Sequence, residues 1–117
     1  MNLKECYQAL EGNYDDVLGR LRTERLITKF VLKFLDDKSF DTLMDAIGRK
    51  DGEEAFRAAH TIKGICQNLS FDRLYEPSHA LAECLRGGCW DEAAVAMTEQ
   101  VKEDYQATVD AIRQLDA

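Results

Sequence analysis

His60, Lys63 and Gly64 are the residues whose types and spacing could do chemistry, and they lie in one stretch, Glu53 to Leu69. Read as a helix turning about 100° per residue, the stretch divides into two faces. Ala55, Ala58, Ile62, Ile65, Cys66 and Leu69 fall on one side, and Glu53, Arg57, His60, Lys63, Gly64 and Gln67 on the other. The polar stripe has an imidazole at its centre, and Lys63, one turn on, can bring its ammonium into the space beside the ring. Gly64 sits in the middle of this helix, where glycine costs roughly 1 kcal/mol relative to alanine. An exposed histidine with a cation one turn away and a side chain deleted next to it suits an anion docked on the ring. A histidine can present a neutral, nucleophilic nitrogen at neutral pH.

The elements that must position this face are helical throughout. Asn2 to Leu10 reads as a short helix ending at Gly12, and Asn13 caps Tyr14 to Leu21 with acidic residues in the first turn. Thr23 offers a further cap before Leu26 to Leu35, whose residues Leu26, Ile27, Phe30, Val31, Phe34 and Leu35 form a wide apolar face expected to be bundle core. Asp36 to Ser39 is a break or kink, with Ser39 expected to cap Phe40 to Ile47 and Gly48 to Gly52 forming the turn into the motif helix, Gly52 to Leu69. Ser70 is expected to cap the next segment, Phe71 to Arg86, where Leu74, Ser78, Leu81 and Leu85 recur at core spacing. Pro77 lies inside that pattern and should kink or restart the helix. Gly87-Gly88 ends it, and Asp91 should cap the last helix, Glu92 to Leu115, with Trp90 as a packing plug at its start. Four helices joined by short turns imply an all-α, antiparallel up-down-up-down four-helix bundle spanning residues 1–117 as one domain. The N-terminal segments would form an extra lid at one end.

Ala59-His60-Thr61-Ile62-Lys63-Gly64, followed by Asn68-Leu69, Leu74 and Ala80-Leu81, resembles the histidine phosphotransfer (HPt) domain family. The likeness runs over nearly the whole chain. It implies that His60 accepts a phosphoryl group, that Lys63, Gly64 and Gln67 accommodate or contact the phosphoryl oxygens, and that Arg57, Phe56, Thr61, Ser78 and His79 lie in reach of a partner. The implied partners are a response-regulator receiver domain, which would carry the aspartate and Mg²⁺, and a sensor histidine kinase. The chain departs from the family at three places. Ser70 stands where many members have Gly, Ala82 stands where some place a phosphate-contacting Gln, and Pro77 is unusual in that helix. That contact is either missing or made by another residue, Ser78 or His79.

Composition bounds the remaining classes. The formal net charge is −7, which argues against nucleic acid and anionic membranes, although Arg57 and Lys63 could form a local basic patch, and which favours a partner with a basic rim. The start of the chain has no apolar signal-peptide core, no apolar run approaches the ~20 residues needed to span a bilayer, and the four cysteines show no C-x-x-C pair. A cytoplasmic protein with free, buried or inert thiols is expected. No cofactor or metal is expected, since His60, His79 and Cys84 lack ligand spacing. There is no ATP-binding motif and no paired carboxylates, so an enzyme is not expected. A monomer is the default state. The competing reading is a non-catalytic helical scaffold that holds a receiver or another signalling partner on the same face.

Overall fold

Four of the seven α-helices begin where a short polar side chain takes up an orphaned backbone N–H. The computed structural model describes residues 1–116, all but the last residue of the expected 1–117 unit. Asn2 opens α1 (Leu3–Ala9) with a reciprocal capping box to Glu5, Asn13 opens α2 (Tyr14–Leu21), and Thr23 opens α3 (Glu24–Phe34). After a polar break come α4 (Ser39–Gly48) and α5 (Gly52–Leu69), the latter capped by Asp51 and carrying Glu53 and Glu54 in its first turn. The chain then folds into α6 (Asp72–Cys84), a single 3₁₀ turn (Arg86–Gly88), and α7 (Ala93–Arg113).

The helices α4 to α7 form the antiparallel bundle, with α5 packed between α4 and α6, and α7 closing against α6 and α4. Ala55, Ala58, Ala59, Ile62, Cys66 and Leu69 of α5 are all buried, so the small residues bring its backbone close to both neighbours. Facing them are Leu43 and Ala46 of α4, Leu74 and Leu81 of α6, and Val101 and Ile112 of α7. No helix among the described residues is long and apolar enough to cross a membrane.

Four local expectations change. The α3–α4 break is real, but Ser39 is the first helical residue, and the Asp37 carboxylate accepts its N–H at 2.8 Å. The α6 helix runs through Pro77 without restarting. Ser70 does not cap α6. It terminates α5 in the left-handed region (φ 57°, ψ 41°), the conformation that usually selects glycine. The apolar face of α3 is only partly core: Ile27, Val31 and Phe34 are buried, Phe30 and Leu35 are half-buried, and Leu26 is 37% exposed.

The N-terminal segment does more than cover an end. The last carbonyls of α5 lack helical partners and need donors, and α1–α2 supply most of them. Tyr7 Oη donates to the Leu69 carbonyl at 2.8 Å, Arg20 Nη1 to the Asn68 carbonyl at 2.9 Å, and the Asn13 N–H to the Ser70 carbonyl at 2.9 Å. The Ser70 hydroxyl donates to Asp16 Oδ2 at 2.7 Å and accepts from Arg20 Nη1 at 3.0 Å. These bonds supply a reason for a serine to hold a glycine-like backbone. Aromatic rings continue the clamp: Tyr14, Tyr7, Phe71, Phe34, Tyr105 and Phe40 touch in sequence, with centroid separations between 4.0 and 6.2 Å. Burial pushes the Tyr7 hydroxyl well above its ordinary range, so it remains a donor at any physiological pH.

The Ser70 and Arg20 hydrogen bonds hold the Asp16 carboxyl below the usual carboxylate range. A group with a depressed folded pKa contributes stability above its unfolded pKa and loses it as pH falls through the folded value. Asp16→Asn is therefore expected to lower the urea midpoint at pH 7. The gap to the parent should close as both are titrated below about pH 3, under the unperturbed aspartate value. A gap that stays constant across that range would show that the charge is not what Asp16 contributes.

Candidate functional site

The exposed stripe of α5 is held at both ends. At its start Gly52 packs against the turn after α6: a Cβ there would lie 2.5 Å from the Gly88 carbonyl oxygen and 2.8 Å from the Trp90 nitrogen. At its end the Ser70 clamp fixes the exit. Between these anchors His60 is exposed, with its ring stacked on half-buried Phe56 at 5.7 Å and 23°. Phe56 thus packs beneath the imidazole and limits its rotation.

Arg57, Thr61, Gly64 and Gln67 are exposed beside it, and Lys63 is half-buried. Arg57 pairs with Glu53 at 2.9 Å, one turn back along the same exposed face, and such a pair is readily broken by a competing anion. Thr61 Oγ1 donates to the Arg57 carbonyl at 2.9 Å, which leaves the hydroxyl oxygen free to accept. Lys63 enters no ion pair within 4 Å among the described residues, so its ammonium is available to an arriving anion. Gly64 has nothing within 4 Å of where a Cβ would stand. No packing inside the chain requires glycine there, in contrast to Gly52.

The α6 side of the stripe carries His79, which stacks flat on Tyr75 (5.5 Å, 7°) and whose Nδ1 is buried without a partner. Glu83, one turn on, pairs with Arg86. That bond is the main cause holding its carboxyl below the usual range, with His79 and Lys63 adding attraction. Gln67 shares a groove of about 340 Å³ with Tyr75, Glu76, Arg20 and Asp16. On the opposite side, Arg57 and Thr61 line a groove of about 400 Å³ with Asp37, Lys38, Ser39 and Thr42.

Ser78 is corrected. It is 0% exposed and points into the bundle, as its core spacing requires, so it cannot meet a partner or a phosphoryl group at the surface. Ala82, the position expected to correspond to a phosphate-contacting Gln, is also buried at 2%. Of the three, only His79 reaches the surface. The cysteines are not uniformly buried: Cys6 and Cys66 are, with burial raising both thiols, but Cys84 is half-buried and Cys89 exposed. No cluster of three or more potential metal ligands occurs among the described residues.

Sequence reasoning missed Glu83 and Tyr75, which enter the site from α6. Their spacing from His79, four residues on either side, would have placed them on its face. It also missed Asp104, which is 5% exposed and held by Arg73 Nε at 2.8 Å and Gln100 Nε2 at 3.1 Å. Arg73 also pairs with Glu11 at 3.0 Å, so this buried carboxylate joins α6, α7 and the α1–α2 turn away from the histidine face.

The face can do one kind of chemistry: an accessible imidazole nitrogen attacks an electrophile, and a nearby ammonium receives the negative charge that arrives with it. A family model described as Hpt domain matches residues 31–115. Neither the curated proteins nor the solved structures contain a match to the chain.

The two glycines of α5 should respond in opposite directions. Gly64→Ala is expected to stabilise the isolated protein by about 0.5–1 kcal/mol, the helix-interior difference between the two residues. Gly52→Ala should lower the urea midpoint, because backbone atoms would have to move. A destabilised Gly64→Ala protein would mean that the glycine serves the fold and not an approaching partner.

Proposed function

The chain belongs to the Hpt domain family, and from that premise we propose that His60 is the phospho-acceptor of a phosphorelay, exchanging a phosphoryl group with the aspartate of a response-regulator receiver domain. Hpt domains are phosphotransfer modules and not ATP-binding kinases, so the group must come from a sensor kinase or a phosphorylated receiver. The observation that supports the reading best is the arrangement on α5: an exposed imidazole on a ring support, an unpaired ammonium one turn away, and an unfilled space at Gly64.

In the forward step the lone pair of a neutral His60 ring nitrogen attacks phosphorus. The P–O bond to the receiver aspartate breaks, and the carboxylate leaves with that electron pair. The proton on the other ring nitrogen is retained or released to solvent. Phosphoryl transfer is mainly positioning and charge stabilisation. Phe56 limits the ring's rotation, Lys63 takes the phosphoryl charge, and the vacancy at Gly64 admits the receiver's loops to the helix backbone. Gln67 and Thr61 supply further polar contacts, and Arg57 can turn from Glu53 to the partner. The reverse step returns the group to a receiver aspartate by the same path. All of these residues belong to one chain, so a monomer suffices. Exposed Cys89 suits a reducing cytoplasm.

The test is acid-labile label. The purified chain is mixed with a phosphorylated receiver domain from the same genome and quenched in alkali, where phosphohistidine survives. Label is expected on the parent and absent from His60→Gln. Lys63→Met should slow uptake about tenfold, the scale of one charge-assisted contact, and Gly64→Ala should slow it while leaving the protein more stable. Undiminished label on His60→Gln would overturn the acceptor. Binding of the receiver without label on any form would favour the scaffold.

A further inference from the structure

The net charge of −7 conceals a reversal. Residues 20–38 hold six cations (Arg20, Arg22, Arg25, Lys29, Lys33, Lys38) against three carboxylates (Glu24, Asp36, Asp37). Arg22, Arg25, Lys29, Lys33 and Lys38 are all exposed, and among the described residues none of the five enters an ion pair within 4 Å. Elsewhere five of the nine cations are matched: Arg49 touches three carboxylates, Arg73 two, and Lys50, Arg57 and Arg86 one each.

Apolar surface accompanies the unmatched charge. Leu26 and Leu32 are 37% and 39% exposed, two of the three large hydrophobic residues most open to solvent. Lys33 lies over the ring of half-buried Phe30 at 5.8 Å. Phe30, Lys33 and Phe34 wall an apolar groove of about 190 Å³ whose other side is Ile65, Asn68 and Leu69 of α5. Asp37 ends that groove and begins the next, which leads past Lys38 to Arg57 and Thr61. The two grooves therefore adjoin at Asp37, one bordering the basic face of α3 and the other lined by Arg57 and Thr61, which flank His60. Most of α3 lies before residue 31, outside the family match.

From the unpaired cations of α3 and the grooves that adjoin between it and the His60 flank, we infer that α3 is the electrostatic docking arm of the His60 site, and that its partner is a receiver domain with an acidic rim beside an apolar patch. The inference rests on the phosphotransfer reading for the identity of the partner. A receiver's aspartate is anionic, and more so once phosphorylated, so its charge fits the cations of α3 and would be repelled by the rest of the chain. Exposed charges of this kind act over about a Debye length and chiefly raise the rate of encounter. The apolar groove between α3 and α5 then supplies contact area. The expectation from net charge, a basic-rimmed partner, is reversed at this face.

The test uses Arg25→Glu/Lys29→Glu, whose side chains are exposed and make no ion pair, with Lys102→Glu on α7 as the control and helix content checked by circular dichroism. Transfer from an acidic-rimmed phosphoreceiver is measured against receiver concentration at low and high salt. The double variant should lose about tenfold in kcat/KM at low salt, and the difference should shrink to about twofold or less at high salt. Its rate at saturating receiver and the behaviour of Lys102→Glu should match the parent. A second arm measures the Kd of the unphosphorylated receiver, so the surface is tested even if no label forms. Labelled parent with an unaffected double variant would overturn the docking arm and leave His60 as acceptor. Loss of binding to anionic phospholipid vesicles, with receiver transfer and Kd unchanged, would assign the face to a membrane and overturn the inference. No label on the parent, with receiver Kd weakened about tenfold in the double variant, would fail the phosphotransfer reading and keep the docking arm.

Discussion

A helix that exposes its middle must still satisfy its ends, and the C-terminus of α5 is where the rest of this structure is committed. The carbonyls of Asn68, Leu69 and Ser70 take donors from Arg20, Tyr7 and Asn13, side chains and backbone that arrive from more than forty residues earlier in the chain. Orphaned, such groups would cost free energy comparable to a lost hydrogen bond each. Satisfying them fixes the exit of α5, positions Phe71 against Tyr7 and Phe34, and so sets where α6 begins. At the other end Gly52 meets the backbone of Gly88 and Trp90, where a methyl group would not fit. Between two anchored ends the imidazole stands in solvent on a helix whose termini are satisfied within the chain.

The same constraint separates stability from function along one helix. The buried face carries alanines and an inert, buried cysteine, while the exposed face leaves Lys63 unmatched and Gly64 unfilled. Each exposed choice is locally unfavourable or neutral for folding, so stability alone does not explain either. Violations of local preference concentrated on one face are the pattern expected of a site. The charge distribution follows the same logic on a larger scale, with unmatched cations gathered along α3.

Periodicity made the helices and the histidine face legible before any coordinates. The caps at Asn13 and Thr23 were readable because each acts within three residues of itself. Ser70 was not, since its hydroxyl is satisfied by Asp16, fifty-four positions away, and a short polar residue next to a helix start looks locally like a cap. Ser78 satisfied two readings, core by spacing and surface by neighbourhood with His79, and burial decided for the core. Pro77 lies in a helix that other contacts hold continuous, which propensity alone cannot weigh. Net charge could not reveal the exposed, unpaired cations of α3, because a sum has no position. The roles of Tyr75 and Glu83 depended on how α6 lies against α5, a relation absent from either helix alone.

The central claim is that one ring, and not its neighbour, is the acceptor. The chain has only two histidines, so long-range ¹H–¹⁵N spectra of the imidazoles, assigned with a His79→Gln variant, read both directly. After exposure to a phosphorylated receiver, the account requires a new phosphorus-coupled nitrogen on His60, with no phosphorus coupling at His79. Phosphorus coupling at His79, or unchanged spectra for both rings while the receiver binds, would contradict it.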